Sequence, residues 1–211
     1  IMPKALASQM VGMIKGIDTD VAAQTFNQIR LSLGGYGPQF IEELRAQNLP
    51  PEYVQAMYAN KPGVQQELLQ ISDRDIKEIK VGIDNTVQND LRLAMTSALE
   101  DYRMAYLAGG GGVAEDIFNE QYAVMEKLAL TRIKESGISP AEAAESVIAD
   151  IVPDSAQVVL SPVGKYVVPI EFNQNTIESS ASNFLNEDVL KLLDLEPLDS
   201  TLDPDFIDEA I

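Results

Sequence analysis

The chain has 211 residues, 45% of them apolar, enough to bury a core in one domain or two small ones. Its formal net charge of −18 at pH 7 argues against direct binding of nucleic acid, which needs Lys and Arg to displace phosphate counterions, and against docking on anionic lipid. His, Cys and Trp are absent, which removes the commonest general base, the thiolate and imidazole metal ligands, and any disulfide. Solubility accounts for the charge, and a basic partner is compatible with it. No run approaches the roughly 20 apolar residues of a membrane span. The start, Ile1-Met-Pro-Lys, is neither an initiator Met nor a signal peptide, which implies a processed product or a piece of a longer polypeptide.

In chain order, Asp18 to Leu33 reads as the first clear helix. Asp18 or Thr19 is its cap, and Val21, Ala22, Phe26, Ile29 and Leu33 are its apolar stripe. Gly34-Gly-Tyr-Gly-Pro38 stops it. Short helices follow over Gln39–Gln47, Pro51–Ala59 and Gly63–Ile71. Ser72 is then expected to cap one long helix reaching about Leu107. Its apolar positions Ile76, Ile79, Ile83, Val87, Leu91, Met95, Ala98, Tyr102 and Ala105 recur every three or four residues, with Gly82 as the weak spot.

The glycines 109–112 are expected to reverse the chain, since a run of glycines holds no helix. A second long helix runs from about Val113 to Glu135, which makes the pair an αα-hairpin. Gly137 closes it. Ser139-Pro-Ala-Glu142 has the form of a capping box with proline at the first helical position, and the helix it starts runs to about Ile151. Two β-branched runs then flank Ser161-Pro-Val-Gly-Lys165. Asn175 and Asn186 are expected to cap two further helices before an acidic tail in which Phe206 is an anchor. The fold class read from this pattern is mainly α: a helical module with a long αα-hairpin and one small β-hairpin near the C-terminus. Residues 1–71 form a region of short helices, 72–152 the long hairpin plus a capped helix, and 153–211 the β-hairpin and acidic helical tail.

No catalytic, cofactor-binding or metal-ligating residue stands out. The glycines 109–112 precede Val113-Ala-Glu-Asp116, whose carboxylates would repel a phosphate, and the Lys and Ser or Thr of a P-loop are missing. The paired carboxylates Glu42/Glu43, Asp73/Asp75, Glu100/Asp101 and Glu115/Asp116 read as solvated helix faces or first turns. The tail Asp203-Pro-Asp-Phe-Ile-Asp-Glu209 lacks EF-hand spacing and reads as another cap. A Ser triad is unavailable without His. Tyr53, Tyr58, Tyr102, Tyr106 and Tyr122 are packing residues or interface anchors, and the pattern does not separate the two.

The candidate interface is the β stretch, with Val158, Val159, Leu160, Tyr166, Val167 and Val168. Two short strands cannot bury both of their apolar faces alone, so a partner or the chain's own helices must cover them. The segment Asp116 to Phe172 resembles segments in the very long internal virion proteins of tailed bacteriophages. The likeness lies in the order of a long helix, Ala129-Leu-Thr-Arg-Ile-Lys-Glu-Ser-Gly-Ile-Ser-Pro-Ala-Glu-Ala-Ala-Glu-Ser-Val-Ile148, and a strand pair ending Tyr166-Val-Val-Pro-Ile170. It covers about a third of the chain and rests on pattern. It implies a non-catalytic structural module of an ejection protein, with no cofactor, partnered by itself or other virion proteins. Such proteins lie in the capsid interior or tail and enter the host envelope or periplasm with the genome. An accessory module of a phage peptidoglycan-degrading enzyme, or a cellular helical scaffold, are the alternatives.

Overall fold

The structure is a computed structural model that describes residues 3–33, 37–59, 61–110, 112–152, 156–161 and 164–169. It is mainly helical. Five helices fill the first third: α1 (Lys4–Gly16), α2 (Thr19–Leu33), α3 (Gly37–Arg45), α4 (Pro51–Tyr58) and α5 (Pro62–Ser72). They are followed by α6 (Ile76–Lys80), α7 (Asn85–Ala98), α8 (Glu100–Gly110), α9 (Gly112–Ser136) and α10 (Pro140–Ile151). Beyond α10 the backbone forms strands β1 (Ala156–Ser161) and β2 (Gly164–Pro169), paired antiparallel. The expected caps at Asn175 and Asn186 and the anchor Phe206 lie outside the described residues.

Helix α1 went unread in the sequence. It buries Ala7, Met10, Val11 and Ile14, one face at helical spacing, and packs on α3. No capping side chain or acidic first turn announces it, and Gly12 and Gly16 dilute its pattern. In α2 the stripe holds for Ala22, Phe26, Ile29 and Leu33, whereas Val21 is 48% exposed.

Helix α3 ends in a Schellman motif. Asn48 takes φ 64°, its N–H donates to Arg45 O, and the Leu49 N–H donates to Leu44 O at 3.2 Å. Leu49 is buried beside it, and Pro50-Pro51 then starts α4. Gly137 ends α9 in the same left-handed region, at φ 66°, with its N–H on Ile133 O at 2.9 Å. The capping box of α10 is complete. Ser139 Oγ accepts from the Glu142 N–H at 3.3 Å, and Glu142 Oε2 accepts from the Ser139 N–H at 2.9 Å.

The single long helix expected from Ser72 is instead three. Ser72 is the last residue of α5, where its hydroxyl donates to Leu69 O; Asp75 caps α6 and Asp84 caps α7. Between them Gly82 stands at φ 86°, a backbone state that ends a helix. The second break, at Leu99, is slight. The Leu99 N–H still donates to Met95 O at 2.9 Å, and Leu99 O accepts from the Arg103 N–H at 2.8 Å. Leu99 is buried where Ala98, expected on the stripe, faces solvent. The glycine run is also more helical than expected: α8 extends through Gly109 and Gly110, and α9 starts at Gly112. The packing of α8 along α9 outweighs a glycine penalty of about 1 kcal/mol per residue.

One cluster of buried side chains spans α1 to α10. Helix α9 is its spine. From Val124 to Thr131 every residue except half-buried Glu126 is buried, so the helix is enclosed on all sides rather than along one stripe. It packs against α4, α5, α6, α7, α8 and α10.

Candidate functional site: the spine helix and its polar contacts

Helix α9 carries charged side chains at its buried centre and on its flanks, and they reach nearly every neighbouring element. Lys127 is the most enclosed. Its Nζ donates to Glu52 Oε1 of α4 at 2.6 Å and to Ser72 O of α5 at 3.4 Å, and the two charged side chains retain 10% and 12% exposure. An ion pair at that depth is costly to desolvate, so its members hold each other in place more than they add net stability. Thr131, one turn on, donates to Lys127 O at 2.9 Å.

Arg132 joins three helices. It donates to Glu67 of α5, and to Ser146 and Asp150 of α10, at 2.8 to 3.0 Å. Lys61 donates to the other Asp150 oxygen at 2.7 Å. Burial pushes the Asp150 carboxyl up, but the bonds from Lys61 and Arg132 outweigh it and hold the group below the ordinary Asp value. Burial acts likewise against the Arg132 charge, and Glu67 and Asp150 reverse it.

On the flanks, Lys80 donates to Glu126 at 3.2 Å, and Arg74 to Glu135 at 2.6 Å. The Lys134 Nζ reaches Glu78 O and Ile79 O at 3.1 and 3.3 Å, where it satisfies carbonyls at the end of α6. At the other end Arg45 of α3 donates to Glu120 at 2.7 Å and to Glu42 at 3.0 Å, and the Tyr58 hydroxyl donates to Glu42 at 3.2 Å. The cleft beside these groups has a volume of about 10 Å³, room for one water and no ligand.

Glu42 was expected on a solvated face and is buried in this network. Asp73, Asp75, Glu100, Asp101, Glu115 and Asp116 are exposed. None of Glu52, Lys127, Arg132 and Asp150 was singled out from sequence, although a lysine inside the apolar run Val124–Leu130 is a readable signal. Of the tyrosines, Tyr53 packs edge-on against Phe26 with ring centroids 6.3 Å apart. The Tyr102 hydroxyl reaches Gln121 at 3.4 Å, and among the described residues the buried Tyr122 hydroxyl finds no partner. The Tyr106 side chain is outside the described residues.

Val158 stands opposite Val167, Val159 opposite Tyr166, Leu160 opposite Lys165, and Val168 opposite Gln157 in the strand pairing. The side chains of these six candidate interface residues lie outside the described set. The β2 backbone runs close to α8 and α9. No group of three or more Asp or Glu among the described residues is placed to hold a metal ion, and none of the described helices is long and apolar enough to cross a membrane. No family model, curated protein or solved structure matches the chain.

Proposed function

We propose that this chain is a structural module of a bacteriophage virion, part of an internal protein that assembles in the particle and accompanies the genome into the host. What supports the reading is the resemblance of the segment Asp116 to Phe172 to segments of such proteins, together with the order of a long helix closed by glycine, a capping-boxed helix and a short strand pair in this chain. The spine geometry is compatible with it. Charged side chains are used to tie helices together, which suits a building block. The acidic charge keeps such a module from sticking to packed DNA.

In this reading the αα-hairpin of α8 and α9 and the β1–β2 hairpin close the module, and the strand pair joins a second copy or a neighbouring virion protein by edge pairing. Alternation along the strands puts Val158 and Leu160 on one face and Val159 on the other. Replacing Val159 and Val167 with Lys tests the reading, with the mass in solution and incorporation into particles as readouts. Lost incorporation at unchanged helical content supports it. Incorporation and solution mass equal to the parent's overturn it.

A further inference from the structure

We propose that residues Val81–Asp84 are a hinge between two states of one segment: the broken α6–α7 described above, and a continuous helix from Ile76 to Ala98. The apolar positions Ile76, Ile79, Ile83, Val87, Leu91 and Met95 keep steps of three or four straight through the break. A continuous helix would carry all six on one face, whereas two helices joined by a turn have no need to stay in phase. Such a helix would span about 34 Å at 1.5 Å per residue.

Of the four residues at the break, Ile83 packs against the core and the other three are exposed. Gly82 stands at φ 86° with nothing within 4 Å of the place a Cβ would take, and Val81 is 70% exposed. Asp84 is exposed too, and its carboxylate accepts the Thr86 N–H at 2.7 Å to cap α7. What retains the broken state is mostly on α6: buried Ile79, the Lys80–Glu126 pair, and the two carbonyls bound by Lys134. Within the break, Ile83 packs on the core and its carbonyl accepts from the Gln88 side chain at 2.9 Å. The kink at Leu99 is the contrast, because its residue is buried and its helical hydrogen bonds run on through it. Straightening at Gly82 exchanges the α6 contacts and the Asp84 cap for i→i−4 bonds across residues 81–86. The inference does not rest on the virion reading, and its readout is conformational, so either can fail alone.

The test uses the full 211-residue chain with Gly82→Ala and Asp84→Ala combined. The pair removes the left-handed glycine and the cap, and favours helix at position 82 about fivefold by propensity alone. Gly82→Asn is the control, because Asn tolerates the left-handed state. The expected result is Cα chemical shifts over residues 81–84 that turn helical in the double variant and stay non-helical in the control. Non-helical shifts at 81–84 in the double variant, whether it is folded with a lower Tm or unfolded, overturn the proposal.

Discussion

Helices α7 and α9 solve the same packing problem in opposite ways. Helix α7 has one inner face: Leu91 and Met95 are fully buried, and Leu93 on the other side is 70% exposed. Helix α9 has no outer face through its middle. Its enclosure forces charged side chains such as Lys127 to find partners on other helices rather than in water. Leu91 and Met95 anchor α7 by apolar contact, and the enclosed α9 needs specific polar partners as well.

The largest effect is expected at the centre of the spine. Leu128→Ala should cost about 4–5 kcal/mol, because helices on every side limit collapse into the cavity, and Leu91→Ala about 3 kcal/mol, because α7 can shift toward solvent. Urea melts of the two variants check this; equal losses would break the contrast between the helices. Lys127→Met comes next. It leaves the Glu52 carboxylate buried without its partner, for a loss of about 3 kcal/mol, and adding Glu52→Leu should recover most of that. A double variant no more stable than Lys127→Met would show that the pair does not set the packing of α4 on α9.

A smaller effect is expected from acid. The folded Asp150 carboxyl titrates below its unfolded value, so its contribution to stability is present above about pH 4 and is lost as the pH falls through the lower folded value. Asp150→Asn should flatten the acid limb of a stability–pH curve in that window, and an unchanged limb would mean the ties of Lys61 and Arg132 contribute nothing there. The smallest change is at the start of α10, where Ser139→Ala should cost about 1 kcal/mol in a thermal melt by removing one half of the capping box.

The parts legible in the sequence are those with local causes. The capping box at Ser139 and Glu142, the glycine stop at Gly137 and the proline start of α4 depend on neighbours within a turn, and each stands where it was read. The long helix failed for a local reason that was outvoted. Gly82 and the capping Asp84 are both turn signals, but the apolar repeat runs through them, and a repeat reports which face is inward, not whether the backbone is continuous. The polar network was illegible because its partners are distant in the chain. Nothing near Glu52 marks it as the partner of Lys127, and nothing near Arg45 points to Glu120. Helix α1 was missed for lack of a cap, although its four buried residues are correctly spaced.

The separation of these partners also sets a schedule for synthesis. Glu52 and Lys127 are 75 residues apart, Glu67 and Arg132 are 65, and Arg74 and Glu135 are 61. At ribosomal rates of about 5–20 residues per second, the first helices wait about 4–15 s before the helix that completes their contacts has been made. During that interval Glu52 can remain in water at no cost, while the apolar faces of α4 and α5 have α2, α3 and each other for cover. The N-terminal helices thus complete their packing only when α9 emerges.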